Sequence, residues 1–377
     1  MALTNNFQIR KAYSSDIPAL QEFFVKAYGA KTIFQSEKYI KWYFNLFDDK
    51  ENDSEYSVLI HNESNEIVSF YGTLKSSIYI KGEIMSLAWG VNAFTLAEWR
   101  GKGLSSMLVD YLVENNESNG VIGFTEKTLR FYESVEYHTF NGERFSRYVY
   151  VISPEKVKTV VNHINQDNNK LQDLINLASK KNPSSGKYAI TKLNDDVVRT
   201  NKFGFGSSDI VTSVRDHSYL SKRFLNNPFI NYELYGSVVN NEIQAYVACR
   251  EEVLLQTAYR VFRIIDLFGK PDQVMEILDF IITLSKEKQY IYVDFSMFGT
   301  LYHELLINAG FIFLENDDFC IVPQVTSPIE NRPNQEYIGF ASKKYFSHVE
   351  PLKKSDVYFT RMDSDRDRLG IIDQIAE

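Results

Sequence analysis

The segment that most restricts the fold is a junction. An apolar run from Leu87 to Ala97 leads into Trp99-Arg100-Gly101-Lys102-Gly103-Leu104-Ser105. Beyond it, Leu104, Met107, Leu108, Tyr111 and Leu112 recur at helical spacing up to about Glu114. A buried strand that turns into an amphipathic helix within a few residues requires strands and helices around one core. Glycines at such a junction free the backbone and let main-chain N–H groups converge. The helix dipole then favours an anion, and pyrophosphate is the anion most often held this way. The plain reading is a surface turn in which Gly101 and Gly103 merely supply positive φ. The strand before and the helix after weigh towards the anion site.

The rest of the first 150 residues alternates in the same manner. Phe7 to Arg10 reads as a strand, and Ser14-Ser15-Asp16-Ile17-Pro18 as a helix start followed by Ile17, Leu20, Phe24 and Ala27 on one face. Ser36 to Phe47 is an aromatic helical patch holding Trp42. Strand signals follow at Tyr56 to His61, Ile67 to Lys75, Ser77 to Lys81 and Met85 to Leu96, with a turn at Asn62 to Asn65. Gly120 to Thr125 reads as a short strand and Glu126 to Val135 as a helix.

After residue 200 the order restarts. Tyr219 to Phe224 repeats the spacing of Tyr39 to Phe44, and Asn241-Glu242-Ile243 echoes Asn65-Glu66-Ile67. Strand, helix, strand and helix signals follow at Phe262 to Phe268, Asp272 to Leu284, Tyr290 to Phe295 and Thr300 to Ala309. The sequence thus predicts an α+β (mixed α/β) chain with two related units, at 1–153 and 201–377. A helical connector at 154–200 joins them through a Pro/Ser/Gly linker at 180–186. A length of 377 residues fits two domains, and 24 Tyr with 27 Phe exclude disorder as the main state. The net charge of −8 argues against a nucleic-acid partner. Cys249 and Cys320 have no metal-ligand spacing and read as buried thiols of a reducing, cytoplasmic setting. No metal is expected. No run of 18 apolar residues suggests membrane insertion, and no secretory signal is visible. Nothing in the pattern reports an oligomeric state.

The junction resembles the acyl-CoA loop of the GNAT N-acyltransferase superfamily, in which Arg or Gln, Gly and a small residue open a helix. Arg100, Gly103 and Ser105 occupy those positions, Ser105 standing where Gly or Ala is usual. The superfamily's Phe-Tyr-x-x-x-Gly-Phe pattern is matched by Phe131-Tyr132-Glu133-Ser134-Val135-Glu136-Tyr137, with Glu136 in place of glycine. The resemblance implies two tandem GNAT-like domains with mixed, mostly antiparallel sheets flanked by helices. Only the first retains the loop, since Pro271 opens the corresponding helix of the second. It further implies an acyl-CoA-dependent N-acyltransferase with coenzyme A as cosubstrate. The amides of Ala93, Phe94 and Thr95 would hold the pantetheine arm and the carbonyl oxygen. Those of Arg100, Gly101, Lys102, Gly103, Leu104 and Ser105 would hold the pyrophosphate. Tyr132, protonated at neutral pH, would donate to the departing thiolate. No general base is legible: Glu83, Glu98, Glu126 and His138 read more simply as surface charges or a strand residue.

Arg215 to Phe224, with Asn227-Pro228, and Val357 to Asp367 resemble segments of bacterial surface-polysaccharide acyltransferases. In that group the acceptor is a nucleotide-linked amino sugar, often a dTDP-amino-dideoxyhexose. Such a partner needs cations for its diphosphate and an aromatic slot for its base. Arg215, Arg223 and Arg361 are candidates for the first, with surface ion pairs as the simpler reading; Trp42 and Tyr219 are candidates for the second. Trp89 and Asn92 would face the substrate together only if their strand bulges, with a core tryptophan and a strand-edge asparagine as the simpler readings. Asp363, Asp365 and Asp367 lack the glycine and distal glutamate of a calcium loop and read as a solvated tail at the substrate's edge. Two alternatives remain: a tandem-GNAT aminoacyltransferase of the peptidoglycan type, and a non-catalytic CoA-binding module.

Overall fold

The computed structural model describes residues 6–44, 56–164, 188–205, 210–254, 258–314, 336–342 and 352–374. Phe47, Cys320 and the linker at 180–186 lie outside them.

Alternating apolar residues build β1 (Phe7–Lys11), β2 (Tyr56–His61), β3 (Glu66–Ile80) and β4 (Glu83–Thr95), each antiparallel to the next. The two strands expected between Ile67 and Lys81 are one continuous strand. β5 (Ser118–Phe124) runs parallel to β4. On one face lie α1 (Ile17–Tyr28), which buries Ile17, Leu20, Phe23 and Phe24, and α2 (Glu37–Phe44). Pro18 sits in the first turn of α1, where its missing N–H costs nothing. The other face is covered by α3 (Leu104–Asn115) and α4 (Glu126–Ser134).

The chain continues through β6 (Ser146–Val151), α5 (Pro154–Ile164), β7 (Ile190–Lys192), α6 (Asp195–Thr200), β8 (Lys202–Phe203), β9 (Val211–Ser213) and α7 (His217–Leu220). A second hairpin, β10 (Glu233–Val239) and β11 (Glu242–Val253), is followed by β12 (Arg260–Gly269), α8 (Pro271–Glu287) and β13 (Tyr292–Gly299). Then come α9 (His303–Asn308), β14 (Ile312–Leu314), β15 (Tyr337–Ser342) and β16 (Val357–Thr360). β12 pairs antiparallel with β11 across a bulge and parallel with β13 at Phe262↔Val293 to Ile264↔Phe295. That is the order of β2, β3, β4, α3 and β5, with a bulge at the matching step. Both hairpins turn on a left-handed asparagine, Asn65 at φ 54° and Asn241 at φ 60°.

The result is mixed α/β, with mostly antiparallel pairing and helices around one large sheet. The sheet is continuous across the halves, because β3 pairs with β9, β9 with β16 and β16 with β13. The halves also exchange strands: β6 pairs with β13, and β15 pairs with β5. Sheet pairing therefore does not divide at residue 153.

What locks this seam is the stretch Thr360–Arg368. Expected to be a solvated tail, it is buried, with Asp363, Asp365 and Asp367 at 0%, 7% and 5% exposure. Asp363 accepts from Arg215 at 2.8 Å, and Arg215 is also held by Asp266 at 3.1 Å and Thr212 at 2.7 Å. Asp367 accepts from Arg250 and Arg263, both at 2.9 Å, and from Tyr232 at 2.8 Å. Glu336 takes Arg361 at 2.7 Å and Arg366 at 2.9 Å. Arg215 and Arg361, expected to hold a diphosphate, are thus consumed inside the protein. The physical reason is that a buried guanidinium needs a carboxylate partner, and each already has one.

Two outcomes test this seam. Removing one partner of a buried pair costs about 3–5 kcal/mol, so Arg215→Ala should lower the unfolding free energy measured by urea titration by that much. An arginine serving only substrate would shift stability by less than about 0.5 kcal/mol. The second test concerns Asp367. Burial pushes its carboxyl up, but Arg250 and Arg263 outweigh this and, with hydrogen bonds from Arg250 and Tyr232, hold it at about 2. Folding lowers this pKa, so its contribution is complete above about pH 4 and is lost as pH falls through about 2. Stability should fall by ~2 kcal/mol over that window, with a shallower fall in Asp367→Asn. An unchanged acid limb in the variant would contradict the assignment.

Candidate functional site

The site begins where the sheet opens. β4 and β5 pair only from Ala88↔Asn119 to Gly90↔Val121, and beyond that point they part. On its other edge β4 carries a bulge: the register passes from Gly72↔Val91 to Phe70↔Phe94, leaving Asn92 and Ala93 opposite Tyr71 alone. Asn92 adopts φ 53°, the left-handed conformation that asparagine tolerates best after glycine. A bulge re-aims side chains and frees main-chain groups from the ladder.

A cavity of about 530 Å³ fills the gap between the strands. Ala93, Phe94 and Thr95 line it from β4, and Ser105 and Leu108 line it from the start of α3. Three hydroxyls tie strand to helix, Thr95 lying 2.7 Å from Ser69 and 2.9 Å from Ser105. Arg100 also lines the cavity. Its Nε donates to the Thr95 carbonyl at 3.1 Å, and its guanidinium lies 5.1 Å from the Phe94 ring centre. Gly101, Lys102 and Gly103 are exposed in the loop before α3. Gly101 (φ 76°) and Gly103 (φ 74°) face open space where a Cβ would stand. The Leu104 side chain is buried in the core, so only its main-chain amide is available to a ligand.

Tyr132 lines the cavity from α4. Its hydroxyl is 3.0 Å from that of Tyr71, and burial pushes its pKa up to about 12, so it is protonated at neutral pH. Tyr71 carried no signal in the sequence beyond its strand periodicity. After Tyr132 the backbone keeps a left-handed residue, Glu136 at φ 65°, where the resemblance expects glycine. The sequence departure therefore does not change the turn.

The remaining expected contacts divide. Asn92 lines the cavity and reaches Asp365 at 3.4 Å and Tyr43 at 3.5 Å. Trp89, although the bulge is present, is fully buried between Phe340 and Phe359 and is a core residue. Tyr219 is buried against Phe224 and Arg215 and lines neither cavity described here. Trp42 and Arg223 do line a second, smaller cavity of about 50 Å³. There Trp42 packs on Phe229 at 5.2 Å, and Arg223 donates to the Ser364 carbonyl at 3.1 Å.

Asp365 and Arg368 line both cavities, and Arg366 lines the first. Sequence reasoning set Asp365 at the substrate's edge but read it as solvated, and named neither Arg366 nor Arg368 as a site residue, because a run of alternating charges resembles a solvated tail. Among the described residues there is no group of three or more His, Cys, Asp or Glu placed to hold a metal. Nor is any described helix long and apolar enough to cross a membrane. In the second half the step corresponding to the β4–α3 junction is filled. The Tyr302 hydroxyl accepts from the Gly269 N–H at 2.9 Å and donates to its carbonyl at 2.8 Å.

Residues 8–138 match a family model described as an acetyltransferase (GNAT) domain. No curated protein matched the sequence. Among solved structures, a probable N-acyltransferase from Enterococcus faecalis is 12% identical with a TM-score of 0.55, over 89% of this chain and 71% of that one. The N-myristoyltransferase of Saccharomyces cerevisiae, solved with myristoyl-CoA and inhibitors, is 9% identical with a TM-score of 0.56, over 99% and 87%. A GCN5-related N-acetyltransferase from Anabaena variabilis is 10% identical with a TM-score of 0.54, over 89% and 72%. At these identities the likeness is one of fold.

The Tyr71–Tyr132 contact can be tested through the backbone beside it. A Cβ at Gly90 would overlap the Tyr71 ring. Gly90→Ala should therefore lower the thermal midpoint and shift the ultraviolet tyrosine titration, with far-ultraviolet circular dichroism unchanged. A variant indistinguishable from wild type would show that Tyr71 is not held there.

Proposed function

We propose that this chain, which carries a GNAT acetyltransferase domain over residues 8–138, is an acyl-CoA-dependent N-acyltransferase. The observation that carries the reading is the wedge between β4 and β5, walled by the start of α3 on one side and by Tyr132 on the other. In this reading the amides of the Arg100–Ser105 loop bind the pyrophosphate, helped by the α3 dipole. Main-chain N–H groups freed by the bulge around Ala93 to Thr95 hold the pantetheine arm and polarise the thioester carbonyl. The amine nitrogen attacks that carbon, and the carbon–sulfur bond breaks. Tyr132, kept neutral by burial, gives its proton to the thiolate. Residues 1–153 form the acyl-CoA unit. Residues 154–200 are its connector, and 201–377 a degenerate copy that shapes the acceptor side.

The acceptor we propose is a nucleotide-linked amino sugar. What supports it is the set of residue types around the second cavity, the aromatics Tyr39, Trp42 and Phe229 and the cations Lys75, Lys222 and Arg223; at about 50 Å³ that cavity admits only an edge of the acceptor, the rest of which lies outside it. Arg215 and Arg361 take no part, being held in buried pairs.

Thiol release from acetyl-CoA, measured against a panel of amines that includes dTDP- and UDP-linked amino sugars, tests both levels. Release with any amine supports the transferase, and preference for the nucleotide-linked sugars supports the acceptor. Tyr132→Phe should lower turnover about 100-fold, with acetyl-CoA affinity nearly unchanged. Undiminished turnover in that variant would remove Tyr132 from the acid role.

A further inference from the structure

Asp365 belongs to both cavities. It lines the acyl-side cavity with Asn92 and Arg366, and the smaller one with Trp42, Phe229 and Arg223. Its two oxygens are used unequally. Oδ2 accepts from Tyr43 at 2.7 Å, from Arg368 Nε at 2.9 Å and from Asn92 at 3.4 Å. Among the described residues, Oδ1 accepts only a long bond, 3.3 Å, from Ser364. A carboxylate has about four lone-pair directions. One oxygen is therefore anchored from three sides, while the other keeps capacity for a further donor. The anchors come from α2, from the β4 bulge and from the C-terminal segment itself, so the carboxylate is fixed relative to the strand that borders the wedge.

We propose that Asp365 is the group that receives the acceptor amine and takes its proton, standing at the passage between the acceptor cavity and the acyl cavity. This rests on the transferase reading above. The amine reaches Oδ1 as an ammonium and gives one proton to Asp365. As the neutral nitrogen bonds to the thioester carbon, its second excess proton passes to solvent. The carbon–sulfur bond breaks, and the thiolate takes a proton from Tyr132. The substrate class that follows is a primary amine that is protonated in water. Alcohols and thiols bring no cation to Oδ1 and are excluded as preferred acceptors. Among the described residues, the charged and titratable groups facing Asp365 include Tyr28 from α1, Tyr39 and Tyr43 from α2, Lys75 from β3, Lys222 and Arg223 from the segment after α7, and Arg366, Asp367 and Arg368 from its own segment.

The test compares two amines with acetyl-CoA: the alkylamine acceptor that wild type uses best, and methoxyamine, which is already neutral at pH 7. In Asp365→Asn, kcat/KM for the alkylamine should fall about 100-fold at pH 7. The deficit should shrink as pH rises towards the amine's own pKa, and the methoxyamine rate should change by less than about fivefold. Acetyl-CoA affinity, read by tryptophan fluorescence, should be retained. Because that substitution leaves Arg368 without its carboxylate, the readout is the ratio of the two amines' rates within the one variant, which a general loss of folding would leave unchanged. Equal losses for both amines at every pH would make Asp365 merely structural. No loss for either would place the proton acceptor elsewhere. Wild type inert towards every amine would instead overturn the transferase reading.

Discussion

The rest of the structure depends on the buried ion pairs that hold the Thr360–Arg368 segment in place between the halves. Thr360–Arg368 runs along the seam of the sheet, and its acidic side chains meet Arg215, Arg250 and Arg263 from the second half. Charges taken out of water are tolerated only with partners of good geometry, so each pair fixes a position as well as an energy. Arg361 and Arg366 both converge on Glu336, at the start of the segment that pairs β15 to β5. One short stretch thus anchors the second half, the edge of the first, and the wall of both cavities.

The wedge follows from the same arrangement. Arg366 lies directly on Gly123, where the backbone sits at φ 88° and a side chain would collide with the guanidinium. There β5 bulges against β15, at the point where it has left β4. Parallel strands held together for three residues and then drawn apart leave main-chain groups facing a shared space. The larger cavity is built from that space, and from the hydroxyl contacts of Thr95 with Ser69 and Ser105. The second half repeats the strands but closes its own junction with Tyr302. Among the described residues, this accounts for a repeated strand order in which only the first half keeps an open glycine junction.

Much of the first half was legible because local patterns and tertiary demands agree there. α1 is set by Pro18 and its apolar spacing, α3 by the glycine junction and its apolar stripe, and both hairpins by their asparagine turns. The seam was not legible. Asp363, Asp365 and Asp367 alternate with Ser364 and Arg366, a pattern that local reasoning assigns to water. Their partners are as far away as Tyr43 and Arg215, and nothing in the spacing announces them. Trp89 is the opposite case, a large side chain on the strand that borders the cavity, where the simpler reading as a core residue holds and the one that had it face substrate does not.

By itself the sequence determined the alternation of strands and helices, the glycine-bearing junction at Arg100 to Ser105, and the tyrosine at 132. Those depend on periodicity and on backbone freedom, which act within a few residues. Only the tertiary structure decided which arginines are spent in buried pairs and that the two halves share one sheet. It alone brought Asp365 to the boundary between the cavities. These depend on which charges meet out of water, and such pairing joins residues as far as 148 positions apart.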